Sequence, residues 1–138
     1  MSARCASHNH ACTNNLSYGC SVVRLMLDRA ESELHASIVG DILACTSRLI
    51  KDPFANYVLQ HILNHQGSGA TGLQLTHNAV DRIAAYIQGE VADIARHRFG
   101  SHVFEKLLEH ATPTHLVVII SELLSLRQDT IAQLVVDK

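Results

Sequence analysis

The chain carries the stretch Phe54-Ala55-Asn56-Tyr57-Val58-Leu59-Gln60 and repeats its pattern twice, as Tyr18-Gly19-Cys20-Ser21-Val22-Val23-Arg24 and as Phe99-Gly100-Ser101-His102-Val103-Phe104-Glu105. Each copy runs aromatic, small, polar or small, variable, apolar, apolar, polar. The third and seventh members are four residues apart, which on a helix places both on one face, one turn from each other. This template predicts three helices, each presenting one pair of side chains: Cys20 with Arg24, Asn56 with Gln60 and Ser101 with Glu105.

The copies recur at a regular spacing. Asn56 follows Cys20 by 36 residues, and Ser101 follows Asn56 by 45. The nine additional residues coincide with the glycine-rich stretch 66–72, which we interpret as part of a flexible loop inserted over 66–78. A repeat of about 20–50 residues is typical of solenoids and related arrays.

Apolar residues repeat in register with the template. They are Val22, Val23, Met26 and Leu27 in the first copy, Val58, Leu59, Ile62 and Leu63 in the second, and Val103, Phe104, Leu107 and Leu108 in the third. Offsets of three and four predict a buried helical stripe opposite the polar pairs. A preceding helix repeats as well, marked by Ile38 and Ile42 in the second unit and by Ile83 and Ile87 in the third.

These patterns predict an all-α protein, a right-handed α-solenoid whose units bury their stripes against their neighbours. We expect a polar, poorly ordered N-terminus over 1–15 and repeats over 16–138. Within the repeats, the helices of the template lie near 18–30, 54–65 and 99–111, and a further, truncated repeat occupies 112–138. The β-branched run 116–120 follows Pro113, which favours a buried helix begun by that proline.

Composition limits the classes of function. The chain has 138 residues, 47% of them apolar, and a net charge of −2, so a single core is expected, without the basic surface common in nucleic-acid-binding proteins. No secretory signal or membrane span is visible. We therefore expect a soluble, intracellular protein with reduced cysteines. Cys5, His8, His10 and Cys12 lack the usual spacing of a zinc site, and no metal is predicted.

The template resembles the repeat of the Pumilio (PUF) family, whose units of about 36 residues read RNA one base per repeat. Asp52-Pro53-Phe54-Ala55-Asn56-Tyr57-Val58-Leu59-Gln60-His61 and Phe99-Gly100-Ser101-His102-Val103-Phe104-Glu105-Lys106 are similar to successive recognition helices of that family. The resemblance covers 16–138. It implies Pumilio/armadillo-like helical repeats and a partial Pumilio homology domain, with three complete reading positions where the family usually has eight. Leu134-Val135-Val136-Asp137-Lys138 is similar to Leu49-Ile50-Lys51-Asp52-Pro53, so a fourth position would fall near 141.

The resemblance implies that single-stranded RNA is contacted by Cys20, Ser21, Arg24, Asn56, Tyr57, Gln60, Ser101, His102 and Glu105. The two amides of the second unit suit the donor and acceptor edge of uracil, and the hydroxyl and carboxylate of the third suit the adjacent donors of guanine. Cys20 with Arg24 resembles the family's cytosine-reading form, with adenine as the alternative. Tyr57 and His102 are planar and can stack on bases, whereas Ser21 cannot. Because the family binds RNA antiparallel, the implied target is 5′-G-U-C-3′ or 5′-G-U-A-3′.

The resemblance further implies recognition of messenger RNA untranslated regions in the cytoplasm and repression through recruited effector proteins. A helical scaffold for protein interaction and a non-specific RNA grip in ribosome assembly are the alternatives. No enzyme activity, cofactor, small-molecule substrate or membrane contact is expected.

The aromatic residues that open each template, Tyr18, Phe54 and Phe99, are predicted to be core anchors. The basic residues Arg96, Arg98 and Lys106 are predicted either to contact phosphates or to be solvated. Three repeats alone should bind weakly, and apolar stripes at the ends of the stack should be uncovered.

Overall fold

The structure, a computed structural model, describes residues 16–64, 70–125 and 135–136. In these ranges it is all-α, as predicted, with no strand. The helices are α1 Leu16–Arg29, α2 Ser32–Ala44, α3 Thr46–Leu49, α4 Asn56–Asn64, α5 Ala70–Ile87, α6 Val91–Arg96, α7 Gly100–His110 and α8 Pro113–Ser125. None of them is both long and apolar enough to cross a bilayer.

The helices form a helical-repeat solenoid, which confirms the predicted architecture. The template lies on α1, α4 and α7, and α4 contacts both α1 and α7. The preceding helices pack in a second row, in which α5 contacts α2 and His115 of α8 bonds Asp81 of α5 at 3.1 Å. A second inter-unit pair joins His61 of α4 to Asp28 of α1 at 2.9 Å. Each template helix is therefore held by the units beside it.

Burial of the apolar stripe depends on position in the stack. In the middle unit all four residues of the stripe, Val58, Leu59, Ile62 and Leu63, are at most 4% exposed. In the first unit Leu27 is buried, but Val22 and Met26 are 56% and 48% exposed. In the third, Val103 and Leu107 are buried while Leu108 is 38% exposed. The predicted stripe is thus fully buried only where helices cover it on both sides.

The prediction that the template aromatics anchor the core is wrong for two of them. Tyr18 is 77% exposed and Phe54 is 41% exposed. In the second unit the core is filled instead by Ala55 and Asn56, which are 2% and 1% exposed. Phe99 is half-buried, with the guanidinium carbon of Arg98 5.4 Å from its ring centroid.

Much of the predicted loop over 66–78 is helical. Helix α5 begins at Ala70, and Thr76, Ala79, Val80 and Ile83 recur at helical spacing and are each at most 6% exposed. Gly72 lowers helix stability by only about 1 kcal/mol, which burial of this face outweighs. Residues 65–69 lie outside the described residues, as do residues 1–15 with Cys5, His8, His10 and Cys12.

Helix α8 begins at Pro113 as expected, but the prediction that it is buried is wrong. Ile119 is 5% exposed, whereas Val117, Ile120 and Leu124 are 64%, 51% and 74% exposed. The helix packs on one side only, against α6 and through His115 against α5. Within the described ranges, no helix covers its other side, so α8 is an edge helix.

Two template helices begin at an equivalent side-chain cap. Oδ1 of Asp52 accepts the backbone N–H groups of Phe54 and Ala55 at 2.8 and 2.7 Å. Nδ1 of His97, 45 residues later, accepts those of Phe99 and Gly100 at 3.2 and 3.1 Å. Such bonds satisfy amide groups that the first turn of a helix leaves unpaired.

Replacing either cap with alanine should lower the free energy of unfolding by about 1 kcal/mol. Urea denaturation of Asp52→Ala and His97→Ala checks this, and His97→Asp should retain most of the stability because it installs the cap of the second unit. Asp41→Ala, at an exposed position of α2, is the control. Unchanged unfolding midpoints in both alanine variants would contradict the assignment.

A third cap joins distant parts of the chain. The Glu122 carboxylate of α8 accepts the N–H of Gly89 at 2.8 Å and that of Val91 at 2.9 Å, at the start of α6. Gly89 has φ of +88°, a conformation that favours glycine. The contact fixes α8 against the turn that leads into α6.

Candidate nucleic-acid interface

The polar pair of the second unit forms a hydrogen-bonded chain on α4. Nδ2 of Asn56 donates to the backbone carbonyl of Asp52 at 2.8 Å, and Oδ1 of Asn56 accepts from Nε2 of Gln60, also at 2.8 Å. Asn56 is 1% exposed, whereas Gln60 is half-buried. The structure therefore brings the pair together as predicted but buries one member.

The two amide side chains of this pair therefore have different roles. Gln60 keeps its Oε1 acceptor and one N–H donor outside the chain of bonds, which together match the alternating edge of uracil. Asn56 orients Gln60 and reaches a base only if its side chain rotates. Tyr57, next to Asn56, is 53% exposed, so its ring is open to a stacking partner.

The pair of the third unit is more open. Ser101 is half-buried, and His102 and Glu105 are exposed. Among the described residues, no hydrogen bond or ion pair engages the Glu105 carboxylate. The neighbouring Lys106 pairs instead with Glu109, with its Nζ 3.0 and 2.8 Å from the two carboxylate oxygens. A carboxylate accepts hydrogen bonds and donates none, so Glu105 suits a partner with adjacent N–H groups.

The first unit presents a thiol beside a cation. Cys20 is half-buried, and Ser21 and Arg24 are exposed. Burial raises the pKa of the Cys20 thiol above its ordinary value, the Asp52 carboxylate of the next unit adds to the rise, and the Arg24 guanidinium opposes it. Cys20 is thus a neutral thiol at pH 7, and Arg24 supplies the charge and the strong donors of this unit.

The pKa of Cys20 offers a test of this geometry. Asp52→Asn removes the negative charge and keeps an oxygen that can cap α4, so we expect a lower pKa and faster alkylation of Cys20 by iodoacetamide at about pH 8. Arg24→Ala should slow the reaction. Peptide mapping by mass spectrometry separates Cys20 from the other thiols. A slower reaction in Asp52→Asn would contradict the placement of Asp52 beside Cys20.

Several basic residues are held by intramolecular contacts. Arg98 lies over the Phe99 ring, Lys106 pairs with Glu109, and Arg96 is exposed. Among the described residues there is also no cluster of three or more His, Cys, Asp or Glu side chains arranged to hold a metal ion.

Asp52 and His97 were not singled out as site residues by the sequence analysis. Both start a template helix, and Asp52 also acts on Cys20 of the preceding unit. Their shared position, four residues before Asn56 and Ser101, is the signal that could have identified them. Because α4 contacts α1 and α7, the three pairs lie at equivalent places on successive helices.

Comparison with known proteins agrees with this repeat. A family model described as the Pumilio-family RNA binding repeat matches residues 47–69 and 90–124, which contain the second and third templates. Among curated relatives, Pumilio homology domain family member 4 of Saccharomyces cerevisiae is 28% identical over 114 residues, covering 83% of this chain and 11% of the relative. Pumilio homolog 12 of Arabidopsis thaliana is 31% identical over 108 residues, covering 78% of this chain and 17% of the relative.

The chain thus spans less than a fifth of the length of these relatives. The relatives match most of the chain, and the family model covers α4 and α7, two of the three helices that carry the polar pairs. Together with the all-α repeat structure, they show that this chain is part of a Pumilio (PUF) repeat domain.

Proposed function

We propose that the chain binds single-stranded RNA in a sequence-selective way and reads three bases, 5′-G-U-C-3′ or 5′-G-U-A-3′. The observation that carries this proposal is the recurrence of one polar pair at the same place on α1, α4 and α7. A single exposed pair is ordinary helix surface, whereas three in register on contacting helices form a row of acceptors and donors that matches base edges.

Each unit contributes by its own chemistry. Glu105 and Ser101 select guanine, because guanine alone offers two adjacent N–H donors on its pairing edge. Gln60, oriented by Asn56, pairs with uracil. Arg24 donates to the adjacent O2 and N3 acceptors of cytosine, with Cys20 as a small neutral neighbour, and adenine is the alternative. Tyr57 and His102 stack on bases. Ser21 cannot stack, so the first unit binds its base most weakly.

The expected affinity is modest. Stacking contributes about 1–3 kcal/mol per base, and association costs about 4 kcal/mol or more. A net charge of −2 adds little general attraction to phosphates. Binding by these units alone should lie at about micromolar dissociation constants or weaker.

Fluorescence anisotropy with short RNAs tests the proposal. RNAs centred on 5′-U-G-U-C and 5′-U-G-U-A should bind, and the control 5′-U-C-U-C should bind less tightly; the ratio of the first two assigns the base read by Arg24. Equal binding to all three with a steep salt dependence would indicate a non-specific grip. No binding at high concentration would favour the protein scaffold.

The wider role follows the family resemblance. We place the chain in the cytoplasm, on 3′ untranslated regions of messenger RNA, where it lowers translation or stability through effector proteins and has no catalytic role of its own. The second candidate is a protein-interaction scaffold. It is favoured by the acidic net charge and by the exposed apolar residues at both ends of the stack.

A further inference from the structure

The two ends of the described stack expose residues that are buried at the same repeat position inside it. At one end, Val22 and Met26 are 56% and 48% exposed, although their equivalents Val58 and Ile62 are each 4% exposed. At the other end, Leu108 is 38% exposed, although its equivalent Leu63 is fully buried. The difference lies in the neighbours, since the side chains are of similar type.

We define the head face as the exposed apolar residues Val22, Leu25, Met26 and Leu34, and the tail face as Leu108, Val117 and Ile120. Inside the stack, a surface equivalent to the tail face of one unit packs on a surface equivalent to the head face of the next. The contacts of α4 with α1 and with α7 are two examples of this interface.

The helices at the two ends are complementary parts of one repeat. Helix α8 corresponds to α5 by a shift of 36 residues, which aligns Ile119 and Leu123 with Ile83 and Ile87. It is thus the first helix of a repeat, and no template helix follows it in the described residues. Helix α1 is a template helix, and the described part of the chain has no helix before it.

We infer that the head face of one copy of this chain binds the tail face of a second copy, so that α8 and the partner's α1 complete a hybrid repeat. In that arrangement α1 packs on α7 and α8 of the other copy, as α4 packs on α1 and α2 and as α7 packs on α4 and α5. Each face is then covered by a surface equivalent to the one that covers the same repeat position inside the stack.

The side chains at the junction fit this pairing. The internal pair of Asp81 and His115, 3.1 Å apart, corresponds to Val117 on the tail face and Leu34 on the head face. Val117 and Leu34 are 64% and 58% exposed. At the junction these two apolar side chains face each other, at the position where a histidine faces a carboxylate inside the stack. The other internal pair, Asp28 and His61, corresponds to Glu109 and Leu25 at the junction, so neither of these two positions sets like charges against each other.

A head-to-tail contact does not close on itself and adds copies at both ends. It also continues the row of polar pairs, because the Ser101 and Glu105 pair of one copy is followed by the Cys20 and Arg24 pair of the next. Two copies would then read 5′-G-U-C-G-U-C-3′. This consequence rests on the proposed RNA reading, whereas the association itself does not and is measured without RNA.

Sedimentation velocity of the 138-residue chain at about 1 to about 100 µM tests the association. We expect the mean mass to rise with concentration beyond that of a dimer. A mass that stays at that of the monomer throughout overturns the proposal.

Two blocked variants test the arrangement. Val22→Asp blocks the head face and Val117→Asp blocks the tail face, and both positions are more than half exposed, so both variants should fold, as circular dichroism verifies. Each alone should associate at least about tenfold more weakly than the unmodified chain, because each buries a charge in every self-contact.

An equimolar mixture of the two variants should form a dimer and stop there, since one keeps its tail face and the other its head face. A mixture that stays monomeric while the unmodified chain associates overturns the head-to-tail arrangement. Ser47→Asp adds the same charge at an exposed position of α3, away from both faces. It should associate as the unmodified chain does, and loss of association there would overturn the assignment of the faces.

Discussion

The double variant Ser101→Asn with Glu105→Gln should change the base preferred by the third unit from guanine to uracil. It copies the polar pair of the second unit onto α7, at the position 45 residues later. The Glu105 carboxylate is exposed, and its two oxygens can accept hydrogen bonds from two N–H groups. The glutamine amide has one oxygen that accepts and one NH₂ group that donates. Guanine then loses an N–H partner, and uracil gains a matching edge.

The expected effect is large because a buried donor without an acceptor is costly. A matched two-bond contact to a base is worth about 1–3 kcal/mol of discrimination, which corresponds to about 5- to 150-fold in affinity. We expect the unmodified chain to prefer an RNA with guanine at the first of the three bases, and the double variant to prefer uracil there by a similar factor.

Anisotropy titrations with 5′-U-G-U-C and 5′-U-U-U-C measure the preference of each protein. Glu109→Gln is the matched control, because it removes the same charge from an exposed position on the same helix but away from the template. It should keep the preference for guanine. An unchanged preference in the double variant, with the fold intact, would contradict base reading by Ser101 and Glu105.

Leu63→Ala should be the most destabilising of the predicted changes. Leu63 lies on α4 between the neighbouring units and is 0% exposed. Truncating a buried leucine costs about 2–5 kcal/mol, through lost burial and the cavity that remains. Because domains are stable by only about 5–15 kcal/mol, this change removes a large part of the stability.

Leu108→Ala removes the same atoms at the same repeat position of the third unit, where the side chain is 38% exposed. We expect its cost to be about 1 kcal/mol or less. Urea denaturation of dilute samples gives both values, and Leu63→Val supplies a milder change if Leu63→Ala does not fold. Equal losses for Leu63→Ala and Leu108→Ala would show that the middle unit is no more tightly held than the end of the stack.

The template helices, the start of α8 at Pro113 and the pairing of Asn56 with Gln60 could be predicted because their signals are local. A helix repeats every 3.6 residues, so spacings of three and four reveal its apolar face and its polar pairs without knowledge of the rest of the chain. The same local reasoning misjudged residues 70–78. Glycines at 67, 69 and 72 suggested a loop, but burial of Thr76 and Ala79 favours the helix.

The sequence alone therefore determined the repeat, the positions of the template helices and the identity of the side-chain pairs, since these depend on residues within a few turns of one another. Tertiary structure alone decided which side chains of the polar pairs and of the apolar stripes are accessible to solvent. It buries Asn56 beneath Gln60, places Asp52 beside Cys20 of the preceding unit and exposes Val22 and Leu108 at the ends of the stack. Burial and charge at these sites depend on helices distant in sequence, and only their packing brings those helices together.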